Sequence, residues 1–240
     1  QWSAIEPVLP KVYSGARRDD DRRIISGIIH VLKSGCRWQD CPSVYGPPTT
    51  IYNRFHRWSG RRIWHKMLEA LVKAFPNDEH MIDSTTAKAH RSAAGGKGAH
   101  NQAIGRSRGG RTTKIHVVTN GCGKPLAFDV TAGQLGDIRA ALPLIAPLPR
   151  ARTLSADAAY DSDGLRRFLM ERGTIPVIPN NKTRKRFHPF DPIAYKKRNQ
   201  IERMFCRLKD WRRIATRYDK LAANFAAAIA IAIAITWWTD

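Results

Sequence analysis

Apolar and polar positions alternate with three different periods along the chain. In residues 1–75 the apolar positions recur at helical spacing. Ile24, Ile25, Ile28, Ile29 and Leu32 form one stripe, Asp19 to Asp21 set acid at its N-terminal end, and Gly35 closes it. A second helix follows Pro47-Pro48, with Thr49 or Thr50 as cap. There Ile51, Phe55 and Trp58 face inward, leaving Asn53, Arg54, His56 and Arg57 on the outer face. A third helix, about Arg61 to Phe75, offers Ile63, Trp64, Met67, Leu68 and Leu71 as its buried side. Three helices with a basic outer face predict a helix-turn-helix-like DNA-binding domain. A plain helical bundle with solvated arginines fits the same pattern.

Residues 76–180 change character. Met81-Ile82-Asp83 predicts a short strand ending in an acid, followed by a polar, glycine-rich stretch from Ser92 to Gly110. Lys114 to Thr119 and Pro125 to Thr131 alternate apolar and polar around Asn120-Gly-Cys-Gly-Lys124, a hairpin signal. Next come a helix from about Asp137 to Ile145, a strand Thr153 to Asp157, a helix capped by Asp161 or Ser162 and closed by Gly173, and a strand Thr174 to Ile178. This order predicts a mixed α/β fold. Beyond it lie a basic loop, Asn180 to Pro192, and one long helix from Asp191-Pro192 through Trp211. The apolar stretch Phe225 to Ile235 has about half the ~20 residues of a membrane span and predicts a buried terminal helix.

Composition narrows the function. In 240 residues a hydrophobic fraction of 42% supplies at least one core, which excludes disorder and fibrous architecture. Lys and Arg number 41 against 20 Asp and Glu, a net charge of +21. Segment 181–220 alone carries 14 basic and 4 acidic side chains. Such a surface suits a polyanion, and with no amphipathic anchor beside the cations, nucleic acid is favoured over a membrane. The four cysteines are scattered and make no zinc finger. The runs Gly95 to Gly98 and Arg106 to Arg111 suit a phosphate-contacting or a merely solvated loop; they lack the P-loop pattern, so no nucleotide is expected. The chain opens on Gln1 rather than Met and shows no signal-peptide pattern, which leaves its beginning open.

A continuous helix would set Tyr195, Arg198, Glu202 and Lys209 on one polar stripe beside the apolar Ile201, Phe205 and Leu208. An ordinary i, i+4 ion pair between Arg198 and Glu202 is the plainer reading. Against it stand Asp83 and Asp157, each following an apolar strand. Parallel neighbouring strands would bring both to one sheet edge, and Glu202 packed across that edge would complete three carboxylates. Converging carboxylates repel unless a cation neutralises them. Two Mg²⁺ ions about 3.5–4 Å apart do so while activating an attacking hydroxyl and stabilising a leaving oxygen. Hard oxygen ligands suit Mg²⁺ or Mn²⁺ rather than zinc. Asp161 and Asp163 are rivals for the second acid, but helix capping explains them, and Asp137 also reads as a cap.

The spacing Tyr195-x2-Arg198-x3-Glu202-x6-Lys209 resembles the C-terminal signature of bacterial insertion-sequence transposases of the IS-four/IS-five type. Arg198 to Phe205 and Arg212 to Lys220 resemble the IS-five subgroup. So do Met81 to Thr85, Ala156 to Ser162, and Gly35 to Pro42 followed by Tyr52 to Trp58, all in family order over essentially the whole chain. The resemblance implies an RNase H-like catalytic domain, residues 76–240, behind a helical DNA-binding domain, residues 1–75. It implies a DDE triad of Asp83, Asp157 and Glu202 holding Mg²⁺, with Mn²⁺ as substitute. Tyr195, Arg198 and Lys209 would be accessory, with Arg54, Arg57, Lys185 and Arg186 contacting DNA. The implied partners are double-stranded DNA, both element ends and target, and a second copy of the chain, in a cytoplasmic, nucleoid-associated setting. The implied reaction is strand cleavage followed by strand transfer. A basic helix-turn-helix regulator, a decayed transposase that only binds, and an RNase H-like nuclease without strand transfer are the competing readings.

Overall fold

The structure is a computed structural model that describes residues 2–10, 20–72, 78–94 and 102–239. Asp19 and the Gly95 to Gly98 run lie outside the described residues. In chain order the main elements are α1 (Trp2–Ile5), α2 (Asp21–Ser34), α3 (Pro48–Gly60), α4 (Ile63–Val72), β1 (Glu79–Ala89), β2 (Gly105–Ser107), β3 (Gly110–Asn120), β4 (Pro125–Ala132), α5 (Ile138–Ile145), β5 (Thr153–Ser155), α6 (Asp163–Glu171), β6 (Ile175–Val177), α7 (Pro192–Lys196), α8 (Asn199–Lys209), α9 (Arg212–Ala215), β7 (Thr216–Arg217) and α10 (Ala222–Ile233). They pack as two compact units.

The first unit comprises Gln1–Ala74, Lys88–Gln102 and Leu208–Asp240. Its helix α2 starts where the Asp20 carboxylate accepts from the Arg23 backbone N–H at 3.1 Å, and stops at Gly35, whose φ of +80° suits a residue without Cβ. Helix α3 opens on Pro48 as its first residue, with no side-chain cap, so Thr49 and Thr50 lie inside the helix rather than capping it. Helix α10 is buried on every face from Asn224 to Ile233 and packs against α2, α3 and α4. Its Ala-Ile alternation carries no readable period because no face is left polar. Its contacts group α10 with α2, α3 and α4 in this unit.

The second unit comprises Phe75–Ala87 and Ala103–Arg207 and is built on a sheet. Strand β1 pairs in parallel with β5, and β5 in parallel with β6; on the other side of β1 lies β3, which takes β2 and β4 as antiparallel partners. The β3–β4 hairpin turns where the Asn120 side-chain oxygen accepts from the N–H groups of Cys122 and Lys124 and Gly123 takes φ +78°. The Arg106 to Arg111 run is itself a hairpin, since Ser107 of β2 pairs with Gly110 of β3. Helix α5 packs on β3 and β4, and α6 and α7 on β6. Met81 and Ile82, adjacent in β1, are both buried, as expected of a strand covered on both faces.

Two predicted boundaries differ. Asp83 does not end its strand, because β1 continues through Ser84-Thr-Thr to Ala89. Its polar second half lacks the apolar signal that marks a strand. The single long helix is two: backbone turns at Lys197 and Arg198 separate α7 from α8. Lys196 to Gln200 supplies five polar residues in a row there, with no apolar side chain to hold a continuous helix against the core.

Candidate active site

The site begins with the register of β1 and β5. Met81 stands opposite Ser155; Asp83 lies two residues further along β1, and Asp157 two residues past Ser155, just beyond the end of β5. The two acids lie close enough that the Asp157 charge acts on the Asp83 carboxyl. Beyond β5 the chain turns into a short helical turn, Ala158–Tyr160, which Asp157 caps by accepting from the Ala159 N–H at 2.9 Å. Glu202 comes from α8 as an exposed residue at the border of the buried stripe of Ile201, Met204 and Phe205.

One guanidinium joins two of the three acids. Arg198 donates through Nη2 to Asp83 Oδ2 at 2.6 Å and through Nη1 to Glu202 Oε1 at 2.8 Å. Asp83 also accepts from the Ser84 N–H at 2.8 Å. Burial pushes the Asp83 carboxyl up to about 6; Arg198 and the Ser84 N–H pull it down, and the negative charges of Asp157 and Asp137 add to the rise. The side chain of Asp83 is only 14% exposed, that of Glu202 58%.

Asp137 is not the cap expected of it. It makes no capping bond to α5; its carboxylate accepts from the Ser84 hydroxyl at 2.8 Å and from Lys114 Nζ at 2.9 Å. His116, fully buried, places Nδ1 3.8 Å from the same oxygen. Tyr160 is also fully buried, and its hydroxyl is held neutral by burial and by the surrounding charges of Asp137, Asp83 and Asp157. The one readable signal for Asp137 is its place after a glycine-rich turn, which a cap explains equally well.

Asp161 and Asp163 serve the basic loop instead. Ser162, not Asp161, caps α6. The Asp161 side chain is fully buried between Arg166 at 2.8 Å and Arg184 at 2.7 Å. Burial opposes its ionisation, but the bonds from Arg184, the Asn181 N–H and Arg166 outweigh that and bring its carboxyl down to about 2. Arg184 also reaches Asp163 at 2.6 Å.

The accessory positions separate. Tyr195 lies in α7 with its ring 5.9 Å from the Arg198 guanidinium. Lys209, half-exposed, ends α8 and falls in the first unit. Lys185 and Arg186 are exposed, and Arg57 is exposed on α3. Arg54 is the exception: it is 6% exposed, bonded to Asp21, with its guanidinium 5.1 Å from the Trp58 ring centroid. It cannot stand on an outer DNA-contacting face. Its acidic partner lies on α2, so a helical wheel of α3 alone gives no sign of the pairing.

A mixed sheet of this topology, flanked by helices, defines the RNase H-like class of fold. The chain belongs to the transposase family described as "Transposase DDE domain", whose match covers residues 78–237; residues 1–68 match "Putative transposase of IS4/5 family". It is 39% identical over 127 residues to "Putative transposase for insertion sequence element IS6501" of Brucella ovis, covering 52% of this chain and 98% of that relative. It is 32% identical over 137 residues to "Putative transposase for insertion sequence element IS402" of Burkholderia cepacia, covering 52% of this chain and 63% of that one. Among solved structures, a piggyBac transposase synaptic complex with hairpin DNA superposes with a TM-score of 0.52 at 13% identity, over 95% of this chain and 68% of that one. Among the described residues, no helix is long and apolar enough to cross a membrane.

The family implies a divalent metal. Among the described residues, no three His, Cys, Asp or Glu side chains are gathered as a closed metal cage. Arg198 stands between Asp83 and Glu202 and neutralises both. The donor set nonetheless fits a hard cation: two neighbouring carboxylates, one of them raised by burial and by like charge, which a nearby cation would relieve.

Proposed function

We propose that this chain binds the terminal inverted repeats of an insertion element and catalyses metal-dependent cleavage and strand transfer at the element ends. The observation that carries the reading is Asp83 in β1 with Asp157 just past the end of the parallel neighbour β5, close enough to raise the Asp83 carboxyl, and Arg198 tying Asp83 to Glu202, in a chain of the transposase family.

Asp83 and Asp157 would hold the cation from the sheet and Glu202 from α8. When bound, Mg²⁺ or Mn²⁺ would activate the attacking hydroxyl and stabilise the leaving oxygen of the phosphodiester. The residues around it prepare the ground. Lys114 and Ser84 fix Asp137, and Ser84 through its N–H fixes Asp83. Arg198 holds the carboxylates in place and offers a guanidinium to a phosphate oxygen once they are otherwise neutralised. The α2 to α4 helices, with Arg57 outward, would hold inverted-repeat DNA, and Lys185 and Arg186 would track the backbone by charge. Two copies of the chain would be needed to join two element ends.

The test is cleavage of linear DNA carrying element ends by the full chain, with Mg²⁺ or with EDTA. Cleavage that frees a 3′-hydroxyl at the element boundary, only with metal, is expected. Binding without cleavage under any divalent metal would favour the regulator reading, and cleavage without boundary preference the simple nuclease.

A further inference from the structure

We propose that Tyr160 is a positioning residue of the cation site, its buried hydroxyl serving as an outer hydrogen-bond donor to the carboxylate pair Asp83 and Asp157 when they take a divalent cation. The inference rests on the proposed metal-dependent reading and deepens it, naming a residue that sets how tightly the site holds its ion without touching the ion itself.

Tyr160 closes the turn that Asp157 begins. Its N–H donates to the Asp157 carbonyl at 3.1 Å, so acid and phenol are set by one short stretch of backbone. The side chain is fully buried, and its hydroxyl has no hydrogen-bond partner among the described residues. Buried phenols usually find a partner, and a position that needs only a ring accepts phenylalanine. The sequence nonetheless sets a hydroxyl there, within the Ala156 to Ser162 run, of which the proposed chemistry uses only Asp157.

The hydroxyl does not face an apolar pocket. Burial, and then the charges of Asp137, Asp83 and Asp157, keep it protonated, and the Ser84 hydroxyl lies beside it without reaching hydrogen-bond geometry. A neutral phenol facing carboxylates can only donate to them. The other donors around it are committed. Ser84 gives its hydroxyl to Asp137 and its N–H to Asp83, both at 2.8 Å; Lys114 gives Nζ to Asp137 at 2.9 Å; the Ala159 N–H goes to Asp157 Oδ1 at 2.9 Å. Among the described residues, Tyr160 is the donor of this group left without an acceptor.

Carboxylates that ligate a metal are themselves held by hydrogen bonds from behind, and those outer partners fix their orientation. Asp157 is the freer of the pair: one backbone N–H holds it, whereas Asp83 is held by Arg198 and by the Ser84 N–H. A phenol hydrogen turns about its C–O bond without moving the ring, so Tyr160 can meet a reoriented carboxylate from inside the core. A hydroxyl kept only for the fold would be bonded in the metal-free chain, and this one is not.

The test uses the full chain, stripped of metal and titrated with Mn²⁺, the free ion being counted by its paramagnetic resonance signal. Wild type should bind Mn²⁺ and Asp83→Asn should not. Tyr160→Phe, which removes one oxygen and keeps the ring, is expected to weaken Mn²⁺ binding roughly 10- to 100-fold. In EDTA its urea midpoint should equal or exceed that of wild type, because the hydroxyl it removes has no partner there. Saturating Mg²⁺ should shift the tyrosine absorbance of wild type to the red as a phenol begins to donate, and Tyr160→Phe should lose that shift. The inference is overturned if Tyr160→Phe binds Mn²⁺ as tightly as wild type, keeps the red shift, or destabilises the metal-free chain, which would make the hydroxyl structural. If wild type binds no Mn²⁺, or Asp83→Asn binds it equally well, the metal reading itself fails and the role of Tyr160 with it.

Discussion

At the scale of single residues, the site is governed by the cost of keeping charge out of water. Asp83 has an ordinary carboxyl value of 3.8 and is pushed up to about 6 in the fold. A raised acid contributes stability that is complete below pH ~3.8 and is lost as pH rises through ~6. Asp83→Asn mimics the neutral form. In metal-free buffer near pH 7.5 it should stabilise the chain by roughly 2–3 kcal/mol in urea denaturation, with the gain gone below about pH 4. A variant less stable than wild type at both pH values would mean that the Arg198 bond outweighs the burial cost. The two α3 arginines should part company as well. Arg54→Ala removes a buried cation from Asp21 and should cost roughly 3 kcal/mol, whereas Arg57→Ala should leave stability within about 0.5 kcal/mol and weaken DNA binding. Equal stabilities would contradict the burial of Arg54.

At the scale of elements, legibility follows the apolar pattern. The helix α2 stripe, its acid cap and its closing glycine are readable because each depends on near neighbours in sequence. So is the β3–β4 hairpin, whose turn residues name themselves. The second half of β1 is not, since Ser84-Thr-Thr gives no apolar alternation and its strand state comes from the sheet. The break between α7 and α8 is hidden by the signature spacing of Tyr195, Arg198 and Glu202, which fits an unbroken helix equally well. Asp161 shows why a cap position misleads: a residue just before a helix can cap it or turn away to a partner distant in sequence. Asp161→Asn should therefore destabilise the chain by roughly 3–5 kcal/mol, because it leaves Arg166 and Arg184 buried with less to bind. The wild-type contribution is present above pH ~3.8 and fades as pH falls toward ~2, since the Asp161 carboxyl is lowered to about 2. A change below about 1 kcal/mol at neutral pH would argue that the basic loop is not anchored there.

At the scale of the whole molecule, a net charge of +21 reads as affinity without specificity. Part of it is turned inward, on Arg54, Arg166 and Arg184, so the charge facing DNA is smaller than composition suggests. Duplex affinity should still fall steeply with salt, with a log–log slope of about −0.9 for each phosphate neutralised. A slope near zero would mean that the outward cations do not meet phosphate. The proposed function turns on few residues: three acids and one arginine, drawn from β1, the turn after β5, the turn before α8 and α8 itself. The measurement closest to that claim supplies DNA already nicked to expose the element's 3′-hydroxyl and scores its joining to a target in Mg²⁺. Wild type should join it, while Asp83→Asn, Asp157→Asn and Glu202→Gln, each shown folded by denaturation, should not. Full joining by any one of the three would remove that residue from the site, and joining by all three would contradict the account.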